Sequence, residues 1–284
     1  MPIQRIIPLR DIAANGTTKV TLKCPRGLRY HKINCQQYYA GGTNTIAGAI
    51  ANFLEMRVKL NSRVQRKLTS TELLDTNLFH GTQYGNITGE VPNTASGVSF
   101  LLFFGEPWRK DVAAQDALAW STGDLGPMEI DFDTTNAATW TFWAVVDDVI
   151  FGKPQGIIKQ LPQIINAASP SADYTLSDSS GALLQVSLYP DTGTNVATSA
   201  TLRKGSFVVF DDVSAAVNKA NLTNGDMFPI ATGRTQTIFD IVVDANDVLE
   251  SALPINDRDV SLTIKQAAAS GSIKAIVQRF GAPD

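Results

Sequence analysis

Histidine and cysteine are scarce in this chain of 284 residues, with two of each. Two lone histidines, His31 and His80, cannot supply the paired imidazole ligands that a metal enzyme on tandem β-sandwiches needs on neighbouring strands. Neither lies near a G-x-S-x-G turn or an activated cysteine, so no nucleophile–His–acid triad is expected. Cys24 and Cys35 fall on consecutive predicted strands but not opposite one another, and they read as free buried thiols in a reducing compartment. Long apolar runs are also missing. The longest helix-like one, Ile46 to Leu54, is too short to span a bilayer. Met1 to Arg10 holds no apolar leader core, so no signal peptide is expected. Gly152-Lys153 lacks the preceding glycine of a phosphate loop. The acidic pairs Asp147-Asp148, Asp211-Asp212 and Asp257/Asp259 match no calcium-loop spacing, and Asp211 or Asp212 reads as a helix cap. No cofactor is expected, and a structural calcium is left open.

Charge is present but unevenly spread. Residues 1–110 hold fourteen Lys/Arg against six Asp/Glu, and residues 111–284 hold ten against twenty-one, so the two parts carry about +8 and −11. Such a split fits complementary surfaces, within a chain or between copies, as well as mere drift in surface composition. The densest basic cluster is Arg57, Lys59, Arg63, Arg66 and Lys67. No aromatic residues interleave with it as stacking partners, so it reads first as the solvated face of a hairpin and only second as a nucleic-acid or lipid head-group surface. Glu129, Asp131 and Asp133 share one face of a strand, again a solvated or interface face.

The chain half-repeats itself. Pro8, Ala13, Ala14, Thr21, Leu22 and Gly27 recur as Pro162, Ala167, Ala168, Thr175, Leu176 and Gly181 at one offset of 154. A repeat decides architecture before local patterns do. Thr17–Lys23, Leu28–Cys35, Phe53–Leu60, Arg63–Leu68 and the fully apolar Val98–Phe104 read as strands, the last as a central one. Thr69 and Glu72 form a capping box that opens a helix to about Asn77. Met128–Asp133 and Trp140–Val146 read as a closing hairpin. The second half keeps this order: strands at Ala172–Leu176, Leu183–Tyr189 and Ser206–Phe210, a short helix, an apolar strand at Gln236–Val243, and a hairpin of Val260–Gln266 with Ser272–Gln278. Many short strands with one helix per half predict an all-β fold of two tandem β-sandwiches, 1–148 and 149–284. Trp140 and Phe142 alternate with Thr141 and Trp143, so both faces of that strand carry an aromatic. Residues 105–127, with Trp108 and Trp120, read as a long loop excursion placed for recognition.

Three stretches resemble the double jelly-roll major capsid proteins of tailless icosahedral bacteriophages with an internal membrane, the corticovirus type. They are Lys19–Leu28 (KVTLKCPRGL), Val58–Asn77 (VKLNSRVQRKLTSTELLDTN) and Thr237–Gly281 (TIFDIVVDANDVLESALPINDRDVSLTIKQAAASGSIKAIVQRFG). The resemblance implies two eight-stranded jelly rolls upright in a shell, and a homotrimer forming a six-cornered, pseudo-hexagonal tile. It implies lattice neighbours, minor capsid and vertex proteins as partners, and no specific nucleic acid. It implies assembly in the host cytoplasm, a place in the virion, and no enzymatic activity. Arg5, Arg10 and Phe280 are then the expected membrane-facing base, making thin contact with lipid, while Trp108 and Trp120 sit in an exposed recognition loop. A second reading is a carbohydrate- or receptor-binding tandem β-sandwich, of the lectin or spike kind, stacking sugars on Trp108 and Trp120. A third, a glycan-processing amidase, needs a cleft where Glu129 or Asp131 converges with another carboxylate.

Overall fold

Among the described residues nine strands and then nine more follow one another, and each strand of the first set has its counterpart nine strands later. The computed structural model describes residues 3–12, 18–39, 46–81, 83, 98–110, 112–135, 138–149, 156–166, 169–176, 181–190, 197–228, 239–242, 252–255, 260–267 and 272–284. Within them the chain divides into one unit of Met1–Ile158 with Pro283–Asp284 and another of Lys159–Ala282.

In the first unit the strands are β1 (Arg5–Ile12), β2 (Lys19–Lys23), β3 (Arg29–Tyr39), β4 (Phe53–Leu60), β5 (Arg63–Leu68), β6 (Val98–Phe103), β7 (Trp120–Ser121), β8 (Met128–Thr134) and β9 (Ala138–Asp147). Helices α1 (Ile46–Asn52), α2 (Ser70–Phe79) and α3 (Val112–Asp116) lie between them. One sheet runs β1-β9-β3-β6, with β7 added to β3, and the other runs β5-β4-β8-β2. The chain changes sheets at almost every connection, which is the jelly-roll path.

The second unit repeats it. Its strands are β10 (Ile157–Asn166), β11 (Ser171–Thr175), β12 (Ala182–Pro190), β13 (Ala197–Lys204), β14 (Phe207–Ser214), β15 (Phe239–Val242), β16 (Leu253–Pro254), β17 (Val260–Gln266) and β18 (Ser272–Gly281), with helix α4 (Ala215–Asn224) after β14. The sheets run β10-β18-β12-β15, with β16 added to β12, and β14-β13-β17-β11. Adding nine to each strand number of the first unit reproduces the second. The fold is therefore a double jelly roll, each roll two four-stranded sheets face to face.

The cores differ in chemistry. In the first unit Phe53, Phe132, Phe100, Trp140 and Phe142 come from β4, β8, β6 and β9, so both sheets contribute. Phe53 meets Phe100 edge-on at 5.0 Å and Trp140 at 5.7 Å, and Phe132 meets Phe142 at 4.9 Å. The second unit packs aliphatics instead, among them Leu188, Leu202, Leu262 and Ile264. Leu22 and Leu176, paired by the repeat, are both core residues. Gly27 and Gly181, also paired by it, both take positive φ, +78° and +103°, in the turns that lead into β3 and β12.

Several local expectations change. Met128–Thr134 and Ala138–Asp147 do not form a hairpin: β8 pairs with β2 and β4, and β9 with β1 and β3. β17 and β18 likewise lie in opposite sheets. Adjacent strands in sequence look like hairpins by pattern alone, whereas a jelly roll sends consecutive strands across the core. Val98–Phe103 is covered on both faces, yet it ends its sheet's order instead of sitting centrally. The helix of the second unit is capped by Ser214, whose side chain accepts from the Val217 N–H. Asp211 and Asp212 lie inside β14, one of them at a positive φ of +47° for Asp212. The capping box of Thr69 and Glu72 is present with both reciprocal bonds. Strands β1, β7, β10, β13 and β16 were not read from the local pattern. Repeat residues Ala13, Ala14, Ala167 and Ala168 lie outside the described residues, as does the Asp257/Asp259 pair.

Candidate functional site

The outer face of the β5-β4-β8-β2 sheet collects the basic cluster and the acidic stripe in one register. Arg57 stands opposite Asp131 and Lys59 opposite Glu129 across β4 and β8, while Lys19 faces Asp133 and Lys23 faces Glu129 across β2 and β8. The Arg57 guanidinium donates to Glu55 at 2.7 Å and to Asp133 at 2.8 Å. Lys59 is paired with Asp131, which also accepts from the Thr21 hydroxyl at 2.7 Å, and Lys67 approaches Glu55 at 3.3 Å. Partial burial would raise the Asp131 carboxyl, but the Lys59 and Thr21 bonds hold it below the usual range. The hydrogen bond from Arg57 to Asp133 raises the guanidinium further still. Charges that looked like a polyanion surface and a carboxylate stripe thus meet each other across strands.

Arg66 leaves that cluster altogether. It is 5% exposed and points inward, donating from Nε to the Ile158 carbonyl at 2.9 Å and from Nη1 to the Phe103 carbonyl at 2.6 Å. Its guanidinium carbon lies 5.5 Å from the Phe104 ring centre and 5.1 Å from that of Trp120. Burial lowers its pKa to about 9, against a counteracting pull from Glu106, and it stays charged at neutral pH.

A second knot of charge lies at the end of β3 and β9. Asp147, fully buried, accepts from Arg29 Nε at 3.0 Å and Nη2 at 2.7 Å, from the His31 ring at 2.7 Å and from the Val149 N–H at 3.0 Å. The other His31 nitrogen faces Asp116 at 3.0 Å. Burial alone would raise the Asp147 carboxyl, but the bonds from Arg29 and His31 overcome it and hold it below the usual range. Asp147, one of an acidic pair that matches no calcium loop, therefore anchors the end of β9. Beside this knot a cleft of about 520 Å³ is lined by Gln4, His31, Lys32, Gln115, Asp116 and Phe103, among others. Neither Glu129 nor Asp131 lines it.

The expected surface tryptophans are placed differently from one another. Trp120 is fully buried in β7, paired opposite Tyr30 and tilted against Phe104 at 4.8 Å, so it is no exposed recognition residue. The strand β7 and helix α3 pull the 105–127 excursion back onto the sheet. Trp108 is half-buried, with one face stacked on His80 at 4.0 Å and an edge contact to Phe103 at 5.6 Å. Between Trp108 and Phe79, burial and then Arg109 push the His80 ring down to about 3.

Arg5 and Arg10 lie on β1, which is paired along β9 and so is no loose arm. They are five residues apart on one strand, about 17 Å. Arg5 reaches Asp148 at 2.7 Å, and Arg10 donates to the Thr21 carbonyl at 3.0 Å. Phe280 is half-buried near the end of β18, opposite Ala182. Trp140 and Phe142 face the core, while Trp143 stands half-buried on the other face, between Pro8 and Asn34. Cys24 and Cys35 are free and buried, and burial raises the Cys24 thiol to about 12. Among the described residues no group of three or more His, Cys, Asp or Glu side chains could hold a metal ion. Likewise, no helix among them is long and apolar enough to cross a membrane.

The Arg66 and Asp147 knots were not foreseen. Arg66 sat in a run of basic residues, and only its alternation against Arg57 and Lys59 across the hairpin hinted at an inward side chain. The strand β1 had one signal: Pro8 repeats as Pro162, which lies within β10.

The fold has close structural counterparts. The major capsid protein P2 from Bacteriophage PM2 superposes with a TM-score of 0.76 at 15% identity, covering 99% of this chain and 98% of that one. A chain of the Sulfolobus Turreted Icosahedral Virus gives 0.70 at 12% identity, covering 99% and 91%. The PBCV-1 virus capsid gives 0.65 at 10% identity, covering 98% and 93%. No curated protein matches the sequence. The sequence model of the viral coat protein P2 N-terminal domain matches residues 3–147, just over half of the chain. On that match, and on a double jelly roll repeated strand for strand, the chain belongs to the viral coat protein P2 family.

Proposed function

We propose that the chain is the major capsid protein of a tailless icosahedral virus, and that three copies form a pseudo-hexagonal homotrimer tiling a shell around an internal membrane. The observation that carries this reading is the repeat of one nine-strand order in both units. Three chains of two equivalent jelly rolls give six similar corners, which is what a six-cornered tile requires. The two jelly rolls are assigned to 1–148 and 149–284. The other partners are lattice neighbours, minor capsid and vertex proteins, and the lipid beneath, touched thinly through the Phe280 end. The role is structural and not catalytic, with no specific nucleic acid. Pairing of Asp131 with Lys59, away from the cleft, supports that. The covered face of Trp108 and the burial of Trp120 weigh against sugar stacking as the main role. Light scattering on the purified protein tests the trimer: a species of three times the 30.6 kDa chain mass is expected. A monodisperse monomer at micromolar concentration would contradict it.

A further inference from the structure

We infer that strand β1 of one copy docks on the β14–α4 face of a second copy, head to tail, so that this contact repeated three times closes the ring. The inference rests on the trimer proposed above and names the surfaces that build it.

Residues related by the repeat differ sharply in exposure. Ile3 corresponds to Ile157 and Ile6 to Gln160 at the offset of 154. Ile3 is 89% exposed and Ile6 66%, yet Ile157 is 0% and Gln160 4% exposed. A smaller difference, reversed between the units, separates β5 from β14. Each opens after a two-residue turn, Arg63 opposite Leu60 and Phe207 opposite Lys204. Arg63 and Phe207, which open the two strands, are both exposed, Phe207 at 67%; one position on, Val64 is half-buried and Val208 41% exposed, and Gln65 and Arg66 are buried where Val209 and Phe210 are only half-buried. The helices follow suit. Seven residues of α2 are buried, but only Leu222 of α4, where Val217 is bare. Phe228, just beyond α4, is exposed as well.

One copy of each repeated element is thus covered and the other left bare. The bare ones are β1 in the first unit and β14 with α4 in the second. Exposed Phe207 and Val208 on β14, Val217 on α4 and Phe228 beyond it are each unusual in water and suit an apolar partner. Ile6 of β1 and Ile3 just before the strand are the apolar groups they meet. A contact between two different surfaces of one chain is heterologous, and it closes into a ring when the rotation allows.

Charge agrees with the same occupant. β1 presents Arg5 and Arg10, and β14 presents Asp211 and Asp212. Asp211 meets Arg203 at 3.6 Å and accepts from the Thr201 hydroxyl at 3.3 Å, and Asp212 pairs with Lys265 at 2.6 Å and accepts from the Ser199 hydroxyl at 2.5 Å. Exposed pairs of this kind contribute little to stability and exchange readily for a new partner. The basic first part and acidic second part of the chain favour unlike ends meeting over like ends.

The test uses two full-length variants. One carries Ile3→Asp with Ile6→Asp, and the other Phe207→Asp with Val217→Asp. Near-UV circular dichroism identifies those that remain folded. Each folded variant alone is expected at single-chain mass, with the half-dissociation concentration raised about 100-fold or more. Mixed one to one at ~100 µM, they are expected to form a species of two chains and no more, because only one intact head and one intact tail remain. A misfolded variant gives no such complementation. A mixture that stays at single-chain mass overturns the head-to-tail contact. Variants that remain trimeric overturn it too while leaving the trimer standing. So do trimeric variants that lose flotation with anionic phosphatidylglycerol vesicles, which would assign the patch to lipid. A wild-type chain that is itself monomeric removes the trimer, and the contact with it.

Discussion

Replacing Arg66 by Leu separates a structural guanidinium from a surface one. Two carbonyl oxygens, of Phe103 and Ile158, accept from Arg66 inside the fold. Leucine leaves both without that donor, at about 1–3 kcal/mol each. It also removes the cation from the rings of Phe104 and Trp120, worth about 2 kcal/mol where water is excluded. Relief of the cost of burying a charge offsets part of this, by several kcal/mol at most. The net expectation is a loss of about 3 kcal/mol, or roughly 6–12 °C in melting temperature for a unit of this size. Arg66→Lys keeps the charge but not the forked geometry, so it should lie between wild type and Arg66→Leu. Calorimetry of the full chain reads the shift, and a heparin column reads anion binding, which should not change. An Arg66→Leu protein that melts at or above wild type, or one that loses polyanion binding, refutes the reasoning.

His80 is held down to about 3 in the folded chain, against about 6.5 unfolded. Between those values the unfolded chain binds the extra proton, so the stability from the neutral ring is full above pH 6.5 and is lost as pH falls toward 3, by at most about 1.4 kcal/mol per pH unit. His80→Phe should flatten the dependence of unfolding free energy between pH 6.5 and 4.5, and equal slopes would count against the buried stack. Asp147 is held below its unfolded range, so its contribution is present above about pH 4 and is lost as pH falls through its depressed folded value, and Asp147→Asn should blunt that acid loss. Gly181→Ala places a Cβ inside the van der Waals radius of the Phe280 carbonyl, whereas the same change at Gly27 meets open space. Urea titration should show Gly27→Ala costing about 1 kcal/mol for its backbone alone, and Gly181→Ala at least about 2 kcal/mol more. Cys24 and Cys35 should resist a thiol reagent in the native protein and react as two thiols per chain only in denaturant.

The doubled architecture was legible because six residues recur at one offset, and Pro8, Leu22 and Gly27 each hold a structural post matched by Pro162, Leu176 and Gly181. The hairpin β4–β5 and the α2 capping box were also legible, since both are local. The pairing of β8 and β9 was not, because period-two alternation marks a strand without saying which sheet receives it. Trp120 and Arg66 show the same limit from two sides. An aromatic in a turn-rich stretch looked exposed and an arginine in a basic run looked solvated, and each is buried against the other. The charged face was half legible: the alternation of Arg57 with Lys59 and of Glu129 with Asp131 was visible, but their register across β4 and β8 is a long-range property. That Ile3, Ile6, Phe207 and Val217 are bare depends on which repeated element is covered, which no single-strand pattern encodes.

The central claim is that one chain carries two equivalent jelly rolls so that three chains make a six-cornered tile. Electron micrographs of the purified protein, or of the particle it comes from, test this most directly. Class averages with a hexagonal outline, threefold symmetry and six lobes are the result this account predicts. Averages of isolated two-lobed molecules at micromolar concentration, with no closed ring among them, would contradict it.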